Sequence, residues 1–176
     1  GFHDEELSNE HCLCLVISEL MEAVEADRKG RFAKVPVDKK DTIFDERTFH
    51  YQNKYFAENF EAYIKDCVED ELADATIRLL DLCGLRKIDI EDFTEEMLYG
   101  AEESCNDETF TESVYAISTI PIRYEYEYDY PLGGQLNSML LAIFGLAKHL
   151  DIDLIWHINQ KMRYNELRPK LNGKRY

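Results

Sequence analysis

Between Glu71 and Leu85 the chain changes character with the period of a helix. At 100° per residue, Glu71, Asp74, Arg78 and Asp81 fall on one face, and Leu72, Ala75, Thr76, Leu79, Leu80 and Cys83 fall on the other. A fold containing this segment must bury the apolar stripe and also accommodate a row of carboxylates. Solvation of the acidic face is the simplest solution, but an earlier segment offers another. Leu13, Val16, Ile17, Leu20 and Val24 mark a core-facing stripe, and Glu19 and Glu22 stand beside it, three residues apart. Two helices that each carry an i, i+3 carboxylate pair can point four carboxylates into one space. A hard divalent cation offsets their repulsion, so Glu19, Glu22, Glu71 and Asp74 are the candidate ligands of Mg²⁺.

The rest of the chain predicts an all-α bundle built as one domain over residues 1–176. Ser8 or Asn9 can cap a helix over roughly 10–29, which Gly30 stops, with Arg28, Lys29 and Arg31 near the negative end of its dipole. Residues 33–52 are charged, contain Pro36 and lack periodicity, the pattern of a long surface connection. A helix is expected from near Tyr55 or Ala57 to Cys83, and another over 91–103 after a turn at 88–92. Residues 104–134 form an inserted segment with a short helix over 110–117. Within it, residues 124–130 alternate Tyr with acids at period 2, which predicts an extended arm. Its tyrosines suit a contact within the chain or between subunits, and the interleaved acids argue against a nucleobase platform. An apolar helix follows over 135–149. At an offset of 64 residues, Glu71-Leu72 aligns with Gln135-Leu136, and Ile88-Asp89-Ile90 with Ile152-Asp153-Leu154. The second copy carries Gln135 and Ser138 where the first carries Glu71 and Asp74, so it lacks the carboxylates.

Charge and cysteine usage narrow the function. A net charge of −16 repels phosphate backbones and argues against a nucleic-acid polymer as partner, while leaving room for a nucleotide bridged by metal. No apolar run is long enough to cross a membrane. The five cysteines include no CxxC pair and make no ligand-spaced cluster with the five histidines, as expected of a reduced, cytoplasmic protein without zinc. A di-iron carboxylate bundle would want ExxH, and none is present. The abrupt Gly1-Phe2-His3 opening is that expected of a chain with native residues upstream.

The last informative stretch runs over residues 157–169. His157, Lys161, Asn165 and Arg168 fall on one helical face, and Pro169 limits its extension. Such cations complement a helix dipole, and they also suit a polyphosphate. Lys offers a point charge, Arg a planar fork and Asn an orienting hydrogen bond.

Glu19-Leu20-Met21-Glu22, Glu71-Leu72-Ala73-Asp74, the Lys161…Asn165…Arg168-Pro169 block and Gly173-Lys174 together resemble the MazG-like family of all-α nucleotide pyrophosphohydrolases. The resemblance implies that the two acidic pairs ligate Mg²⁺ and that Lys161, Asn165 and Arg168 contact phosphates, with Lys29 and Arg31 as further candidates. It also implies hydrolysis of a nucleoside triphosphate, with a deoxynucleotide preferred, to monophosphate and pyrophosphate by a homo-oligomer, most simply a dimer. The alternatives are a related dUTPase or phosphoribosyl-ATP pyrophosphatase, and, in another class, a silent helical interaction protein. Three departures stand out. Ser18 replaces a frequent further Glu, the gap from Glu22 to Glu71 is long, and the segment with the repeat separates the second acidic pair from the Lys…Asn block.

Overall fold

The computed structural model describes residues 7–168, and the basic tail at 172–176, Gly173-Lys174 and Pro169 lie outside that range. Among the described residues there are nine helices and no strand. They are α1 (Asn9–Arg28), α2 (Val37–Ile43), α3 (Glu46–Tyr51), α4 (Asn53–Tyr63), α5 (Val68–Arg86), α6 (Glu95–Glu103), α7 (Phe110–Tyr126), α8 (Leu132–His149) and α9 (Leu154–Leu167). The fold is an all-α bundle. Among the described residues no helix is long and apolar enough to cross a membrane.

The predicted stripes of the first two long helices meet. Leu13, Val16 and Leu20 of α1 and Leu72, Ala75, Leu79 and Cys83 of α5 are buried in one core with Leu136, Met139, Leu140 and Ile143 of α8 and Val114 and Ile117 of α7. Each fully buried Leu, Ile or Val contributes about 1.5–3 kcal/mol. This centre can therefore offset a patch of buried acids that costs several kcal/mol per ion. Ser8 caps α1 by accepting from His11 N–H, and Gly30 closes its other end at φ 62°, a conformation that costs glycine little. There Gly30 N–H donates to Asp27 C=O and Arg31 N–H to Ala26 C=O.

Three expectations are corrected. Residues 33–52 are not an open surface connection, because α2 and α3 dock through their apolar residues. Ile43, Phe44, Phe56, Phe60, Ile64, Cys67 and Tyr164 form a second core, joined by Trp156 and Phe49. Phe60 stacks on Tyr164 with centroids 4.3 Å apart, and Lys40 lies 4.4 Å over the Trp156 ring, which fixes α2 and α4 on α9. The expected helix from Tyr55 to Cys83 breaks between α4 and α5. Asp66 there takes φ 61°, its N–H donates to Asp70 Oδ2, and Val68 N–H donates to Arg31 C=O. Finally, the 124–130 arm is not extended. Helix α7 runs on through Tyr126, and the rings of Tyr124, Tyr128 and Tyr130 cluster with centroids 5.2–6.0 Å apart.

The 64-residue repeat has a structural counterpart. Helices α5 and α8 begin at corresponding residues, Val68 and Leu132. They also end alike. Lys87 (φ 54°) and Asp151 (φ 57°) both turn left-handed, and the next residue, Ile88 or Ile152, donates back to Cys83 or Ala147 C=O. Close packing marks the second half as well. A Cβ on Gly145 of α8 would come within 2.5 Å of Ala101 Cβ on α6, so only glycine allows that approach.

Candidate metal centre

The contact between α1 and α5 brings three of the four predicted carboxylates together. Oxygens of Glu19, Glu71 and Asp74 all lie within 4.8 Å of one another. Glu19 and Glu71 are buried, at 4% and 5% exposure, and Asp74 is half-buried. Glu22, one turn along α1 from Glu19, is exposed. It lines a cleft of about 200 Å³ with Glu71, Glu25, Lys29, Arg31 and Asp66. The candidate cations Lys29 and Arg31 therefore share a cleft with two of the candidate ligands. Lys29 Nζ is 2.8 Å from Glu25 Oε1, and the Arg31 side chain is exposed.

Two of the three clustered acids are held by cations of the chain. Arg78, one turn beyond Asp74 on α5, reaches across to α1, and its Nε and Nη2 both lie 2.6 Å from Glu19 Oε1. Lys161 of α9 is 4% exposed, with its Nζ 2.8 Å from Asp70 Oδ1 and 2.8 Å from Asp74 Oδ2. No described side chain donates a hydrogen bond or ion pair to Glu71. Glu71 also belongs to a second set of converging oxygens, with Asp66 and Asp70. A buried carboxylate shared by two acidic groups and lacking a cation of its own is chemically suited to a hard divalent ion.

The remaining predicted residues fall elsewhere. Asn165 is exposed, and Arg168 lies 5.4 Å over the Tyr164 ring. Neither lines the cleft between Glu22 and Glu71. His157 is buried against Trp156, its Nδ1 unpartnered, and burial lowers its pKa to about 4. Asp70 and Arg78 complete the site, and Asp70 had no assigned role in the sequence. Its signal was available, since Asp70, Asp74 and Arg78 recur every fourth residue of α5. The flanking acids Glu69 and Glu71 masked it as an ordinary acidic first turn.

Burial sets the electrostatics. Desolvation raises Glu71 to about 8, reinforced by Asp70, Asp74 and Glu22 and only partly opposed by Lys161. Desolvation likewise raises Asp70 to about 6 against the pull of Lys161, and raises Glu19 against the pull of Arg78. Burial alone would discharge Lys161, but Asp70 and Asp74 outweigh it and hold the ammonium protonated. For Glu71 the folded state binds a proton that the unfolded state releases between about pH 4.5 and 8. Its contribution to stability is therefore present at low pH and lost as pH rises through 8. In a chelator, the melting temperature should fall from pH 5.5 to 8.5, and Glu71→Gln should flatten that dependence. The expected difference at the alkaline end is on the order of 2 kcal/mol. Parallel melting curves for the two proteins would refute it.

Comparison of the chain with protein-family models, with curated proteins and with solved structures gives no match.

Proposed function

We propose that the cleft between α1 and α5 is the active site of a Mg²⁺-dependent nucleoside triphosphate pyrophosphohydrolase. The observation that carries this is the convergence of Glu19, Glu71 and Asp74 oxygens within 4.8 Å, with no cation among the described residues paired to Glu71. The resemblance of the acidic pairs and the Lys161 block to MazG-like enzymes supplies the reaction class. Glu19, Glu71 and Asp74 hold the ion, with Glu22 at the mouth of the cleft. When bound, Mg²⁺ supplies charge neutralisation for the polyphosphate and acidifies water. Arg78 and Lys161 fix Glu19 and Asp74 through one oxygen each, Oε1 and Oδ2. Lys29 and Arg31 border the same space and make the first contacts to phosphate. Glu22, facing solvent, accepts the proton of the attacking water. Water adds at phosphorus, the bond between the α-phosphorus and the bridging oxygen breaks, and pyrophosphate leaves.

The test is a panel of ribo- and deoxynucleoside triphosphates, with dUTP and phosphoribosyl-ATP included, in the presence of Mg²⁺. Monophosphate and pyrophosphate in equal amounts, with deoxynucleotides turned over fastest, is the expected result. Orthophosphate as the product would overturn the assigned bond cleavage, and no turnover of any member would overturn the reading in favour of the interaction protein.

A further inference from the structure

The repeat reaches beyond α5 and α8 to the helices around them. Aligned from their caps Ser8 and Thr109, α1 and α7 bury the same positions. Cys12, Leu13, Val16, Glu19 and Leu20 match Ser113, Val114, Ile117, Ile120 and Pro121. The third helix of each half is exchanged, since α9 packs on α5 and α6 on α8. The second half thus has the frame of the first without its acids. Ile120 and Arg123 stand in place of Glu19 and Glu22, and Gly134, Gln135 and Ser138 in place of Asp70, Glu71 and Asp74. Between α5 and α9 the Lys161 ammonium bridges Asp70 and Asp74. Between α8 and α6 the smaller Gly134 and Ser138 border a cavity of about 360 Å³, with Phe93, Met97, Tyr124, Tyr130 and Leu141 around it. Asn137 fixes one wall. It is buried, its Oδ1 accepts from Glu91 N–H at 2.9 Å, and its Nδ2 donates to Asp89 and Gly133 C=O. Asp89 and Glu91 follow the end of α5, so the cavity lies roughly 20 Å along that helix from Glu71 at 1.5 Å per residue.

We propose that this cavity binds an uncharged nucleobase or nucleoside, at a site separate from the proposed metal centre. The lining selects the ligand by charge. Among the described residues no Lys or Arg lines it, so a phosphate would lie near Glu91 without a counter-charge. Pro131 and Gly134 belong to the start of α8, where the positive end of the helix dipole disfavours a cation. A neutral ring satisfies both conditions. Phe93, Tyr124 and Tyr130 offer it apolar surface, and the volume is that of a small-molecule site. Glu91 can accept from an N–H edge, and the half-buried Ser138 hydroxyl can donate or accept. A ring with donors and acceptors on its edge is what a nucleobase provides. Glu125, Glu127 and Asp129, which alternate with the tyrosines, are exposed and do not line the cavity. The inference is independent of the proposed hydrolysis.

Saturation-transfer NMR on the full chain in chelator tests it. The probes are adenosine, guanosine, cytidine and uridine, each beside its free base and its 5′-triphosphate. At least one nucleoside or base should bind saturably, and comparison of the two forms shows which the site takes. The matching triphosphate should bind more weakly, and Glu71→Gln should bind the nucleoside as the wild type does. Ser138→Leu fills the cavity, and Glu91→Ala removes an exposed acceptor while keeping the backbone bond to Asn137. Each should weaken binding by about tenfold or more with an unchanged helical spectrum. No binding of any base or nucleoside would overturn the proposal, as would binding that both cavity variants retain. Loss of binding in Glu71→Gln, or a triphosphate held more tightly than its nucleoside, would move the ligand to the cleft between α1 and α5 and overturn it too.

Discussion

Glu71→Gln is expected to remove at least 99% of turnover while leaving the bundle folded. The substitution keeps the shape of the side chain and deletes the charge that both acidic groups share. Loss of one essential ligand costs about 3 kcal/mol or more of activation free energy, beyond a hundredfold in rate. Unlike a damaging core substitution, it should stabilise the cation-free protein at alkaline pH, because a buried carboxylate raised to about 8 no longer has to ionise. Glu22→Gln should lose a comparable share of activity without that gain, since Glu22 is already exposed. Steady-state kinetics and chelator melts on the two variants separate the effects. Wild-type rates in both at saturating Mg²⁺ would remove the carboxylates from the mechanism.

Lys161→Met should be the most destabilising single change at the site. The ammonium compensates two carboxylates at once, Asp70 at 1% exposure and half-buried Asp74, and its removal leaves them facing each other. Breaking a buried pair from one side costs about 3–5 kcal/mol. Adding Asp70→Asn to Lys161→Met removes one of the abandoned charges and should recover a large part of the loss. Urea denaturation in chelator measures both. A cost under about 1 kcal/mol for Lys161→Met would show that the triad contributes little to the fold.

The long helices were legible because their apolar residues recur at helical spacing and their ends carry recognisable caps. Ser8 and Gly30 bound α1 where expected. The break before α5 was not legible, because Phe56, Phe60, Ile64, Val68 and Leu72 continue at four-residue spacing straight through it and all five are buried. The left-handed Asp66, its hydrogen bond to Asp70 and the bond from Val68 N–H to Arg31 C=O interrupt the helix, and none of them leaves a mark on periodicity. Helices α2 and α3, of 7 and 6 residues, are too short to display a period, so an aromatic core looked like a charged connection. The Tyr–Glu alternation misled for a related reason. Helix α7 carries it as far as Tyr126, and the chain then turns so that Tyr128 and Tyr130 pack back on Tyr124.

At the site, the sequence showed which residues were charged and which shared a helix face, but not what each one meets. Spacing on α9 placed Lys161 with His157, Asn165 and Arg168. It could not distinguish a phosphate from two carboxylates on a distant helix as the lysine's counter-ion. Arg78 was visible on the acidic face of α5, whereas its reach to Glu19 depends on how closely α1 and α5 pack.

Direct binding of Mn²⁺, followed by electron paramagnetic resonance without nucleotide, tests the assignment of this cleft most directly. Wild-type protein should bind the ion saturably, release protons as it does so and compete it off with Mg²⁺, and Glu71→Gln should lose that binding. Equal Mn²⁺ binding by the two proteins, or none by the wild type, would contradict the assignment.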